Sequence, residues 1–337
     1  MQMSAERLQP IITPERTTFE GIIRRIPEAI QMAKLEAESS RMATTPEGKF
    51  AVTYLLATRS LLRPVLEDLQ TIGPDFLLPT GGAEYNPERS IDEIGTLVAE
   101  QLAAQSRDIP GLWIRSEESA RWQNMGNEGQ STQEGNRFAI IDPLDMTSYI
   151  QKKDRVQTTG IAIYDRDGNI KTVGIASLVD QGFVFIEHDN GVIRQFPPPH
   201  EHTDTPSPPP LRVATLTRRM HQMRQLELFT DHHAIWALDC SGGFSILKLH
   251  DGQVDTILDP FKGSPWYEVV IWTQAAQQLG FTVSDKDGNP IDLSSAIRRM
   301  INRHEGDTFR IPFVISRNPA IHKQTLSLLR PREVPPA

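Results

Sequence analysis

Phe138-Ala139-Ile140-Ile141-Asp142-Pro143-Leu144-Asp145-Met146-Thr147 joins an apolar run, long enough for a buried strand, to two carboxylates three positions apart. Proline fixes its own φ and biases the preceding residue toward extended geometry, so Asp142 is predicted at the mouth of the strand. Asp145, Met146 and Thr147 then fall where a helix can begin, with its first backbone N–H groups unpaired. Carboxylates beside a helix N-terminus offer oxygens to a hard cation and amides to an anion such as phosphate. The same residues also suit ordinary loop chemistry, in which either aspartate caps the next helix.

The totals narrow the classes. A chain of 337 residues can build one large or two ordinary domains, and 38% hydrophobic with 23% charged residues fits a soluble globular protein. A formal charge of −8 argues against a nucleic-acid partner, which calls for a basic face. It leaves room for a small phosphorylated substrate, because a bound cation reverses the local potential. No apolar run approaches the ~20 residues that span a bilayer, so no membrane partner is expected. The polar stretch Met1–Arg16 has no signal-peptide core, and a single cysteine, Cys240, fits a reducing compartment. The expected location is the cytoplasm.

The first third reads as helical. Thr17 and Glu20 resemble a capping box ahead of Phe19, Ile22, Ile23, Ile26, Ala29, Ile30 and Ala33 at helical spacing. A second stripe runs from Phe50 to Leu69 and is expected to kink or divide at Pro64, and a third begins at Ser90. From Phe138 the period shortens. Strands at 158–164, 170–178, 183–187 and 192–196, separated by turns such as Asp165-Arg-Asp-Gly-Asn169, describe an antiparallel meander. Residues 197–210 hold seven prolines in fourteen positions and read as a stiff linker. Beyond it, strands near 211–216, 234–239, 253–258, 281–284 and 310–315 alternate with helical patterns, one of them from Ser264-Pro265 to Gly280. The implied division is an N-terminal part of helices and antiparallel sheet over 1–196, the linker 197–210, a C-terminal α/β part over 211–330 and a tail at 331–337.

Several acidic residues recur in a telling order. Ser116-Glu117-Glu118-Ser119 follows an apolar segment; the Asp142–Thr147 element follows another. Gly252-Gln-Val-Asp255 comes next, and Trp266-Tyr-Glu268 opens the helix that ends near Gly280. Taken singly, Glu117 and Glu118 are usual solvated residues and Glu268 a usual partner for a helix dipole. In this order, over roughly residues 85–330, they resemble the inositol monophosphatase family of Mg²⁺-dependent, lithium-sensitive phosphatases, whose superfamily includes bisphosphate nucleotidases and fructose bisphosphatases. The closing Ile315–His322 corner is similar too.

The resemblance implies an α/β fold, α+β in its N-terminal part, layered as an α-β-α-β-α sandwich. It implies hydrolysis of a small phosphomonoester (an inositol phosphate, a nucleotide bisphosphate or a sugar phosphate) by metal-activated water, with two or more Mg²⁺ ions and Mn²⁺ as a substitute. Glu117, Asp142 and the Leu144 carbonyl would hold one ion; Asp142, Asp145 and Glu268 the other. Thr147 with Glu117 would position and deprotonate the water, the amides of Met146 and Thr147 would hold the phosphate, with Asp145 beside them, and Asp259 would contact substrate hydroxyls. Dimers are common in the family, so a homodimer is among the expected partners, the oligomeric state itself staying open.

The chain departs from the pattern. Met146 and Ser116 stand where the family has glycine, and Glu268 where it has aspartate. Val269-Val270-Ile271-Trp272 replaces small residues. The early metal elements have only Thr80 and Glu84 as nearest counterparts. These departures leave a second expectation: a catalytically impaired relative that binds a ligand or partner.

Overall fold

The computed structural model describes residues 19–72, 87–106, 108–109, 111–116, 122–125, 136–145, 156–197, 210–215, 226–229, 233–239, 242–302 and 310–329. The stripe from Phe19 forms two helices, α1 (Phe19–Arg24) and α2 (Ile26–Ser39), which break at Arg25 because Pro27 lacks the N–H that a continuous helix requires. The second stripe is one undivided helix, α3 (Pro46–Ile72), with Pro64 inside it. Leu55, Leu62, Val65 and Leu66 are buried along its length, and that packing offsets the hydrogen bond lost at the proline. The third helix, α4 (Pro87–Gln105), starts before Ser90, with Pro87 in the first turn, where a missing N–H costs nothing.

Seven strands form the first sheet: β1 (Leu112–Ser116), β2 (Gln123–Asn124), β3 (Arg137–Asp145), β4 (Thr158–Asp165), β5 (Ile170–Ser177), β6 (Phe183–Asp189) and β7 (Val192–Phe196), in spatial order β2-β1-β3-β4-β5-β6-β7. The expected meander is present from β3 to β7, every neighbour antiparallel; β1 and β3 are parallel. The second sheet contains β8 (Leu211–Thr215), β9 (Ala234–Asp239), β10 (Thr256–Pro265), β11 (Thr282–Ser284) and β12 (Arg310–Ser316), in the order β11-β12-β10-β8-β9.

Helices fill the remaining layers. α2, α3 and α4 cover one face of the first sheet, sharing a core with Ile114, Ala139, Ile141, Ile161 and Ile163. Three more helices, α5 (Gly242–His250), α6 (Trp266–Gln278) and α7 (Leu293–Asn302), lie between the sheets. Their Ile246, Val270, Trp272 and Ile297 pack with Phe138, Ile140 and Tyr164 of the first sheet and with Ile257 and Phe313 of the second. The last helix, α8 (Pro319–Ser327), covers the far face of the second sheet through Ile321, beside Leu211, Val213 and Val314. The succession is α-β-α-β-α. No helix among the described residues is long and apolar enough to cross a membrane.

Bulk in α6 is accommodated by glycine elsewhere. Trp272 lies flat on the start of α5, where a Cβ on Gly242 would stand 2.0 Å from the indole ring. A large residue on one helix meets the smallest on the next, so α5 and α6 pack closely despite the bulk of the indole.

Candidate active site

The expectation that the strand stops at Asp142 is corrected by the structure: β3 continues through Pro143 and Leu144 to Asp145. The β3–β4 ladder pairs Asp142 with Gly160 and Asp145 with Thr158, so Pro143 and Leu144 together oppose the single residue Thr159. This is a β-bulge, and it is where a proline can sit inside a sheet. In a regular strand, residues three apart point to opposite faces. The extra residue cancels that alternation. Leu144 joins the core under the outer helices and Pro143 lies against Gly95 of α4, where a Cβ would come within 2.5 Å of the ring. Asp142 and Asp145 both face the middle layer. Gly160, opposite Asp142, lies against Ile271 of α6, and Asp145 Oδ2 accepts from the Gly243 amide of α5 at 3.0 Å.

Both aspartates are withdrawn from solvent, at 1% and 5% exposure. Behind them, Thr159 Oγ1 donates to the Asp142 carbonyl at 3.2 Å and lies 3.5 Å from the Tyr54 hydroxyl of α3. Burial pushes the Tyr54 phenol pKa up; the Thr159 hydrogen bond partly opposes this, and the charges of Asp142 and Asp92 push it further up. Asp92 was not singled out from the sequence. It is buried, one turn before Gly95 on the helix that rests on Pro143. Its spacing from Gly95 was visible; that α4 would lie on the Asp-Pro turn was not.

β1 and the start of α6 reach the same end of the sheet. Ser116, the last residue of β1, is in parallel register with Ile141, immediately before Asp142. The Arg115 guanidinium stacks 4.7 Å over the Trp266 ring at the start of α6, a cation–π contact that ties β1 to that helix. Glu268 is half-buried in the first turn of α6, after Pro265, which is the N-cap. Asp259 is buried on β10 opposite Phe313, on the face toward the middle layer. Asp255 belongs to a different structure: Arg212 and Arg317 clamp it at 2.8 and 3.0 Å.

Glu117, Met146 and Thr147 lie outside the described residues, as do Thr80, Glu84 and most of the proline-rich linker. Among the described residues, no three histidine, cysteine or acidic side chains converge into a metal-binding group. Asp142, Asp145 and Glu268 therefore do not close a site by themselves. What is present fits a hard divalent cation in its donor chemistry: two buried carboxylates on one face, one oriented by an amide, in a region where Asp92 adds further negative charge.

This arrangement of layers is the inositol monophosphatase fold. The SuhB extragenic suppressor protein from Bartonella henselae aligns with 85% of this chain and 99% of its own at a TM-score of 0.57 and 12% identity. An IMPase/NADP phosphatase crystallised with Mg²⁺ and phosphate aligns with 81% of this chain and 92% of its own at 0.54 and 16%. Staphylococcal inositol monophosphatase-1 soaked in LiCl aligns with 80% and 90% at 0.55 and 15%. No family profile and no curated protein matches the chain by sequence. At such identities the likeness is one of fold.

Proposed function

We propose that this chain hydrolyses a small phosphomonoester, an inositol phosphate, nucleotide bisphosphate or sugar phosphate, with the help of divalent cations, Mg²⁺ first among them. The observation that carries the reading is the bulge that turns Asp142 and Asp145 to one buried face, at the sheet end where β1 stops at Ser116. The fold's occurrence in phosphatases, one of them crystallised with Mg²⁺ and phosphate, supports it.

In this reading Asp142, Asp145, Glu117, Glu268 and the Leu144 carbonyl hold the cations, which when bound offset phosphate charge and lower the pKa of a water. Glu117 and Thr147 orient that water and take its proton, since a threonine hydroxyl can donate and accept at once. The Met146 and Thr147 amides hold the phosphate oxygens. Asp259 accepts from a hydroxyl of the substrate. The test is phosphate release by the full chain over a panel of phosphorylated inositols, sugars and nucleotides. Mg²⁺-dependent turnover that Asp142→Asn abolishes is expected; no turnover on any of them would overturn the reading.

Methionine at position 146 favours a second reading, a relative that binds cation and phosphate without turnover. A side chain there adds bulk beside the amides and restricts φ where glycine does not. Calorimetry showing cation and phosphate binding in a protein with no activity would select it, and activity restored by Met146→Gly would identify the cause.

A further inference from the structure

Residue alternation alone would place Asp142 and Asp145 on opposite faces of the sheet, so whatever holds the bulge open also holds the two carboxylates together. The bulge interrupts the ladder at Pro143, which has no N–H to offer. A side chain braces the residue before it: Thr159, the single residue opposite the bulge, donates its hydroxyl to the Asp142 carbonyl at 3.2 Å. One hydroxyl hydrogen cannot serve two acceptors fully. It is shared: the closer bond goes to the Asp142 carbonyl, and the same Thr159 hydroxyl points to the Tyr54 oxygen at 3.5 Å, so the phenol sets where that hydroxyl can turn. Thr159 and Tyr54 are both fully buried, and Tyr54 belongs to α3, whose packing in the outer layer fixes where its ring can stand.

We propose, on the reading of Asp142 and Asp145 as cation ligands, that Thr159 and Tyr54 are positioning residues: a pair of neighbouring hydroxyls that pins the bulge and thereby sets the separation and common facing of the two carboxylates. Neither hydroxyl touches cation or substrate. They act through the backbone of Asp142, as outer-shell partners that orient ligands do elsewhere.

The test is Mn²⁺ affinity of the full chain, followed by calorimetry and by the Mn²⁺ electron paramagnetic resonance signal, alongside the unfolding midpoint of the metal-free protein. Thr159→Val keeps the shape and removes the hydroxyl, and is expected to weaken Mn²⁺ binding by about 10–100-fold, the range for lost outer-shell partners. Thr159→Ser restores the donor and is expected to recover most of the affinity. Tyr54→Phe removes only the group behind Thr159 and is expected to weaken binding severalfold; it carries the test should Thr159→Val not fold. The control is Thr172→Val. Thr172 is an equally buried β-sheet threonine whose hydroxyl donates to the Ile186 carbonyl at 2.9 Å, away from the bulge. It is expected to lower the unfolding midpoint and leave Mn²⁺ binding unchanged. Wild-type affinity in both Thr159→Val and Tyr54→Phe, or an equal loss in Thr172→Val, would overturn the positioning role while sparing the site. A wild-type protein that binds no Mn²⁺ would sink the site reading itself, and this role with it.

Discussion

The Gly243 amide donates to Asp145 Oδ2 at 3.0 Å, joining positions 98 apart in the chain and fastening the start of α5 to the bulged end of β3. The approach leaves no room for a side chain: a methyl on Gly243 would stand 2.3 Å from Thr158 Oγ1 and 3.3 Å from Asp145 Oδ2. Gly243→Ala is expected to displace α5 and destabilise the protein by ~1–3 kcal/mol, the usual cost of overpacking, measured by urea unfolding. Cation affinity should fall with it, because Asp145 loses the amide that orients it.

Trp272 is nearly buried, packed on Gly242 and edge-on to Phe313 at 6.4 Å between ring centroids. Trp272→Ala opens a cavity at the meeting of α5, α6 and the second sheet and is expected to cost ~3–5 kcal/mol. A cost under ~1 kcal/mol by chemical denaturation would show that the middle layer does not depend on this ring.

Glu187 of β6 reaches across to the N-terminus of α3, accepting from the amides of Thr44 and Thr45 at 2.9 and 3.2 Å and from both their hydroxyls. The carboxylate supplies acceptors to a helix end and complements its dipole while fully buried. Glu187→Gln replaces one acceptor oxygen with an amide facing donors. It is expected to destabilise by ~1–3 kcal/mol, the cost of leaving buried donors unmet, with a lower thermal midpoint as the readout.

Acid below about pH 4 is expected to destabilise the second sheet. Burial alone would raise the Asp255 pKa, but the hydrogen bonds and charge of Arg212, with the charge of Arg317, outweigh it and hold the carboxyl below its ordinary 3.8. The unfolded chain therefore binds the proton first as pH falls. The stabilisation is fully present above about pH 4 and is lost as pH drops through the lower folded-state value. His322 acts in the same direction at higher pH. Burial lowers its pKa from 6.5 while Ser284 and Ser316 hold its ring nitrogens, so the unfolded chain takes up a proton below that value and the folded one resists. Asp255→Asn is expected to flatten the acid limb of stability against pH, and His322→Gln the limb just below neutrality; unchanged profiles in denaturant titrations would refute both assignments.

The layered fold was legible because its signals are local. Period-2 runs and turn residues marked β4 to β7, and apolar stripes marked α3 and α4, since burial of one face imposes a period on the chain whatever it packs against. The breaks were less legible. Pro64 divides nothing, because long-range burial along α3 outweighs one missing hydrogen bond, whereas the chain breaks at Arg25, just before Pro27, although Ile22 and Ile26 on either side are both buried.

The acidic residues themselves, their order, and the Asp-Pro-Leu-Asp element that resembles a known family were all present in the primary chain, which settled what donors exist. It did not settle which way they face. Alternation along a strand sets Asp142 and Asp145 on opposite sides, and only pairing with β4 reveals that one residue, Thr159, stands opposite two. Register is a property of two strands together, and the contacts that hold it come from α3, α4 and α5, distant segments whose docking no local pattern encodes.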